Sequence, residues 1–345
     1  MTPLEAALHR RIALDGPLSI ADYMALCLGH PEHGYYQARE PFGAGGDFVT
    51  APEVSQMFGE LLGLWAAETW RRMGSPDPVR LIELGPGRGT LMRDALRAAR
   101  LLPGFVEAAA VHLVESSRRL AEAQKATLDD VPAAMTWHRS FGEVPEGPTI
   151  LLANEFFDAL PVRQFVRATR GFHERLVGLD AEERLAFGLS PAALPPEAMP
   201  EPLRRAPEGA VVETSPASMQ LMAGIAARVA SCGGAALVID YGHARSAPGD
   251  TFQAVRGHAY ADPLVEPGFA DLTAHVDFEA LGRAAREAGA VPLSPVTQGD
   301  FLKALGIEHR AERLARTVGP EGADAIASQL RRLVDPAEMG SLFKV

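Results

Sequence analysis

The segment Leu81-Ile82-Glu83-Leu84-Gly85-Pro86-Gly87-Arg88-Gly89-Thr90 constrains this chain more than any other. An apolar run ends near an acid, passes through a turn with three glycines, and opens a helical pattern at Thr90. Glycine tolerates positive φ and lets a ligand come close to the backbone, so such units sit at the carboxyl edge of open parallel sheets, where ligands bind. A dinucleotide turn carries its third glycine one position later, as GxGxxG, to pack helix on strand and to aim the helix N-terminus at a pyrophosphate. Here Gly85, Gly87 and Gly89 give GxGxG. Taken alone, this turn leaves a nicotinamide cofactor possible.

Short apolar runs and helical patterns alternate around that turn. Strands are expected over 79–84, 111–115, 135–139 and 149–153, with helices over 90–102 and 116–128. Alternation of this kind implies right-handed βαβ units and a mainly parallel sheet. After residue 161 the pattern changes. Residues 163–166, 173–179 and 184–189 read as an antiparallel insertion, and the proline-rich stretch 191–207 as a surface loop. The alternation resumes with a helix over 218–231, a strand over 235–240, a helix over 277–288 and a candidate final strand over 291–296. Upstream, Leu4, Leu8 and Ile12 recur at helical spacing, and Ser19 is the expected N-cap of the next helix. Residues 41–46 read as a glycine-rich loop, and Val54, Met57, Phe58, Leu61, Leu62 and Trp65 are expected on one face of a helix over 52–72. The expected architecture is α/β: an N-terminal helical region over 1–75 that carries the glycine-rich loop, then a Rossmann-like domain over 76–345 with an insertion at about 162–210.

The 345 residues carry 44 acidic and 33 basic side chains, a net charge of −11. A surface of that sign repels phosphate backbones, which argues against nucleic acid as a partner and suits a cationic substrate. No apolar run reaches the 18 or so residues needed to span a membrane, and the N-terminus lacks the layout of a secretory signal. Cys27 and Cys232 lie in apolar surroundings without metal-ligand spacing and read as buried thiols in a reducing compartment, so the expectation is a cytoplasmic protein.

Two further strand tips carry chemistry. Glu115 ends the second strand 30 residues after Gly85, where a carboxylate can accept hydrogen bonds from two ribose hydroxyls. The alternative is a solvent-exposed or helix-capping glutamate, but with the glycine turn upstream the ribose role is the expectation. At the tip of the fourth strand stand Asn154 and Glu155, followed by Phe156, Phe157 and Asp158. For the phenylalanines simple burial is the expectation; for the polar pair, a place at the reaction crevice.

These residues together resemble the MidA-type family of class I methyltransferases, which includes the mitochondrial arginine methyltransferase of complex I assembly. The matching stretches run nearly end to end: Gly45 to Glu53, Glu83 to Thr90, Glu115, Ala153 to Pro161, Asp240-Tyr241-Gly242, Pro267-Gly268 with Asp271 to Phe278, Met339-Gly340 and Phe343-Lys344-Val345. The resemblance implies S-adenosylmethionine as cofactor, whose nucleoside has no phosphate to neutralise. It implies a protein substrate methylated on arginine, with symmetric dimethylation in the mitochondrial branch and a quinone-side complex I subunit as target. On that reading Glu83, Gly85, Pro86, Gly87, Gly89 and Glu115 bind the cofactor, with Asp47 and Thr50 folding over it. Glu155 and Asp158 hold the substrate guanidinium, and Asn154 orients either the substrate or the methionine end of the cofactor. Asp240 and Tyr241 could line the same crevice, while residues 271–277 read equally as a helix cap holding His275 at the surface. A nicotinamide-dependent oxidoreductase and a non-catalytic assembly chaperone are the alternatives.

Overall fold

The strand Thr149–Asn154, in the middle of the central sheet, is buried along its whole length and apolar except at its two ends because both of its faces are covered. The computed structural model describes residues 1–38 and 49–345. Its central sheet contains β1 (Val79–Leu84), β2 (Ala109–Val114), β3 (Ala134–His138), β4 (Thr149–Asn154), β5 (Gly234–His243) and β6 (Phe343–Lys344). The order runs β3-β2-β1-β4-β5, all neighbours parallel. β6 lies antiparallel on β5, with Asp240 opposite Lys344. The chain thus grows outward from β1 through β3, then returns to the opposite side of β1 as β4. That reversal opens a crevice at the carboxyl ends of β1 and β4, the position where open α/β sheets bind ligands.

One face of the sheet is covered by α1 (Gln56–Arg72) and α2 (Thr90–Ala99). Met57, Phe58, Leu61 and Leu62 of α1 pack with Leu91, Leu152 and Ile239, and further along Ala66 and Trp70 pack with Leu81, Met92 and Val111. The two helices touch through backbone: a Cβ on Gly63 would stand 2.1 Å from the Ala95 carbonyl oxygen, and one on Gly59 2.8 Å from Asp94 Cβ. The helix expected over 52–72 is two pieces, Ala51–Val54 and Gln56–Arg72. Ser55 breaks them with extended backbone, and its hydroxyl accepts the Met57 N–H.

The chain divides into two units, and the boundary does not fall near residue 75. Residues 49–157, 222–242 and 282–345 form the sheet unit; the other begins with residues 1–38 and adds 158–221 and 243–281. In this second group, Leu4, Leu8 and Ile12 bury one helical face with Leu18, Tyr23, Met24, Val177 and Leu272. Ser19 caps the helix Ile20–Gly29 by accepting the Asp22 N–H. The antiparallel insertion is present as Arg163–Ala168, Gly171–Leu179, Leu185–Leu194 and Val211–Thr214, extended by the short strand Leu18–Ser19.

Three expectations change. Residues 191–207 are not simply a loop: the strand runs on to Leu194, and the short turns Pro196–Ala198 and Glu201–Leu203 bring Met199 and Leu203 into a core with Phe165 and Phe172. Residues 291–296 form no strand, because Pro292 and Pro295 withhold backbone donors and leave Val291 and Leu293 exposed. The last strand of the sheet is Phe343–Lys344 instead. Cys27 is buried, but Cys232 is only half-buried; both are free thiols. Among the described residues no helix is long and apolar enough to cross a membrane.

Candidate cofactor and substrate site

The glycine turn follows β1 at the crevice. Gly85 has φ 60°, Gly87 φ 56° and Gly89 φ 83°, a left-handed path that other residues adopt only with strain. At Gly85 space is limiting as well, since an added Cβ would stand 2.7 Å from Cδ2 of Phe156. Phe156, expected only to fill core, lies against the turn. Pro86 is buried, and its carbonyl accepts the Gly89 N–H at 2.8 Å to close the turn before α2.

Glu83 is buried, and its Oε2 has no hydrogen-bond partner. Burial pushes its carboxyl up to about 8. Asn154 shares that face of the sheet, two residues beyond Leu152, which pairs with Glu83. Its amide donates to Glu155 Oε1 at 3.1 Å, and its buried Oδ1 is unpartnered. Two acceptors withdrawn from water without donors require a donor from elsewhere, such as an ammonium group or ordered water.

Glu115 stands just past β2. Its Oε1 accepts the Ser117 N–H at 2.7 Å, and its Oε2 accepts from Gln124 Nε2 at 3.1 Å. Burial raises its carboxyl to about 7, against the lowering effect of these donors and of Arg119. The helix cap is supplied by Ser117, whose hydroxyl accepts the Leu120 N–H at the start of α3 (Arg118–Thr127). Glu115 is therefore not needed as the cap of α3, though it does hold the Ser117 amide.

Glu155 has φ 48°, and its Oε1 accepts the Ala51 N–H at 3.0 Å. Thr50, mostly buried, is the N-cap of the short helix that Ala51 opens, without a side-chain cap bond. Glu53 in that helix accepts the Thr90 hydroxyl at 2.5 Å. The stretch from Thr50 to Glu53 is thus tied both to the tip of β4 and to the start of α2. Asp47 lies outside the described residues.

Asp240 does not line the crevice as expected. It is fully buried; Oδ2 accepts the N–H groups of Phe156 and Phe157 at 3.1 and 2.9 Å, and Oδ1 that of Tyr241 at 3.0 Å. It fixes the backbone that follows Glu155. Asp158 belongs to the other unit, where its carbonyl accepts the Ala274 N–H. There the Tyr36 hydroxyl, raised well above its ordinary value by burial and then by the charges of Asp271 and Asp158, donates to Asp271 Oδ1 at 2.9 Å. Residues 271–277 form two short strands, and Asp277 caps the next helix through the Ala280 N–H.

S-adenosylmethionine fits this set of residues. The glycine turn brings backbone without side-chain bulk to the crevice, Glu115 offers a carboxylate to ribose hydroxyls, and the unpartnered Glu83 and Asn154 oxygens suit a cationic amino group. A pyrophosphate does not fit, because the Glu53 carboxylate already stands at the N-terminus of α2, where a dinucleotide would bring negative charge. The sequence does not mark Glu53 or Gln124 as site residues, and it marks Phe156 only as core. None belongs to a periodic pattern, and each acts through a partner distant along the chain.

Comparisons with known proteins agree with this chemistry. The model of a family of S-adenosyl-L-methionine-dependent methyltransferases matches residues 61–296. The mouse mitochondrial protein arginine methyltransferase NDUFAF7 is 39% identical over 368 residues, covering 99% of this chain and 83% of the mouse protein. The human protein of that name is 37% identical, covering 99% and 82%. A Burkholderia thailandensis protein solved with S-adenosyl-homocysteine bound has a TM-score of 0.84 and 31% identity, covering 99% of this chain and 90% of that one.

Proposed function

Because this chain belongs to the S-adenosylmethionine-dependent methyltransferase family, we propose that it methylates an arginine in a partner protein. The observation that supports this most is its likeness, over nearly its whole length, to proteins named as arginine methyltransferases. The carboxylate of Glu155 at the tip of β4 suits a substrate that is planar and always charged.

The bound cofactor supplies a methyl group on a sulfonium, an electrophile that needs no acid to activate it. The protein's task is placement. On this reading Gly85, Gly87 and Glu115 hold the nucleoside end, and Glu83 with Asn154 receives the amino acid end. Glu155 holds the guanidinium so that one nitrogen is aimed in line, and its carboxylate takes the proton released on methylation. Phe156, against the glycine turn, helps to exclude water.

A finer reading follows from the MidA-type resemblance: the target is a quinone-side subunit of respiratory complex I, modified during assembly in the cytoplasm. Two free thiols suit a reducing compartment. The test is incubation of purified protein with S-adenosylmethionine and that subunit, followed by mass spectrometry of its arginine peptides. A mass gain of one or two methyl groups on one arginine is expected. Methylation confined to lysine, or to a small molecule, would overturn the arginine assignment; methylation of a different protein would overturn only the complex I assignment.

A further inference from the structure

Gln124 lies inside α3, fully buried. A buried amide is expensive unless its hydrogen bonds are met, and this one has partners on both of its ends. Nε2 donates to the carbonyl of Gly87 at 2.9 Å and to Glu115 Oε2 at 3.1 Å. Oε1 accepts from the indole N–H of Trp137, on β3, at 3.0 Å. An indole N–H can only donate, so Trp137 fixes which end of the amide is oxygen and turns both N–H groups toward the two acceptors. Those acceptors belong to the glycine turn and to the acid after β2.

We infer that Gln124 is a positioning residue for cofactor binding: it clamps the glycine turn to the ribose-side carboxylate, with its own orientation set by Trp137. The inference rests on the reading of Glu115 as ribose acceptor. With Ser117 N–H on one oxygen and Gln124 on the other, the carboxylate is pinned in one rotamer before any ligand arrives. Gln124 also favours the ionised form of Glu115, as do Ser117 and Arg119, against the burial that opposes it. Removing Gln124 should therefore loosen the turn and keep Glu115 protonated to higher pH.

The test uses calorimetric titration of S-adenosyl-homocysteine into the full chain across a pH series, comparing wild type with Gln124→Leu. In the variant the affinity should fall about tenfold, the loss expected when two buried acceptors lose their donor. The midpoint of its pH dependence should move upward. In turnover, KM for S-adenosylmethionine should rise while kcat at saturation stays within a few-fold. Trp137→Phe keeps an aromatic ring beneath Lys125 Nζ, which lies 5.3 Å from the ring centroid, and removes only the orienting donor. It should weaken binding in the same direction by a smaller factor, and it carries the test if Gln124→Leu fails to fold. Unchanged affinity and pH midpoint in folded variants would overturn the inference. Failure of wild type to bind S-adenosyl-homocysteine would overturn the cofactor site itself, and pH-independent binding by wild type would overturn the role of Glu115.

Discussion

The Glu155 carboxylate accepts the backbone N–H of Ala51 at 3.0 Å, across 104 positions of chain. The same oxygen accepts from Asn154, while Glu155 itself has φ 48°. A strained residue at a strand tip thus anchors the segment whose Glu53 reaches the first residue of α2. The acid proposed to hold the substrate is also a structural anchor, and two substitutions separate the roles. Glu155→Gln keeps an oxygen for Ala51 but removes the charge. It should leave cofactor affinity within a few-fold and lower turnover by about a hundredfold or more. Glu155→Ala removes the anchor too, and should weaken cofactor binding by about tenfold as well. Near-normal turnover in the glutamine variant would leave anchoring as the role of Glu155.

Gly85→Ala tests the turn. Its φ of 60° and the Phe156 ring 2.7 Å from the new Cβ act together. A left-handed alanine costs roughly 1–2 kcal/mol, and the ring must also move. Affinity for S-adenosyl-homocysteine should fall at least about tenfold while thermal unfolding stays cooperative. Retained affinity would show that the ligand does not approach this part of the backbone.

Two buried acids set opposite pH trends. Burial raises Glu115 to about 7 and Glu83 to about 8, whereas both return to the ordinary carboxylate range on unfolding. The native state then holds more protons than the unfolded one in that window. Their contribution to stability is present in full below the ordinary carboxylate range and is lost as pH rises through about 8. Binding that uses the ionised carboxylates has the reverse slope, so cofactor affinity should increase from about pH 6 to about pH 8. Glu115→Gln should flatten that increase and weaken affinity by about tenfold. Calorimetric titration at several pH values, with thermal unfolding of the free protein alongside, reads both trends.

Glu60 is a stability element away from the crevice. Buried in α1, it accepts from Arg310 Nε at 2.7 Å and from Arg97 Nη2 at 2.9 Å. Burial opposes its charge, but the two guanidiniums outweigh that and hold it below the usual carboxylate range. Its contribution is therefore present above that range and lost as pH falls through it. Both arginines are partly exposed and can turn to water when the acid is removed. Glu60→Gln should cost about 2 kcal/mol at neutral pH, less than for a fully enclosed pair. The urea midpoint measures it, and the gap to wild type should narrow in acid.

What the sequence discloses and what it hides follow from the range of the interactions. β1 spans Val79–Leu84 as its apolar run indicates, and Asn154 with Glu155 falls at a strand tip because a buried strand must end where polar residues begin. The site's second layer has no such signature. Gln124 occupies a helix position that reads as solvated, and only the fold brings Gly87, Glu115 and Trp137 to it. Asp240 shows the opposite error. An acid at a strand tip reads as a ligand-facing group, but its oxygens serve the amides of Phe156, Phe157 and Tyr241. Residues 291–296 look like a strand by composition, and two prolines override that pattern.

Each unit is assembled from three separated stretches of chain. This imposes an order on synthesis. The unit that begins at the N-terminus cannot close until residue 281 has left the ribosome, and the sheet unit waits for β6 at Phe343–Lys344. For most of translation neither core can be completed, so apolar strands such as β1 and β4 stand available before β5 exists to pair with β4. β4 therefore stays without this partner until residues 234–243 have been made, and no single cut in the gene parts the two units into one intact fragment each.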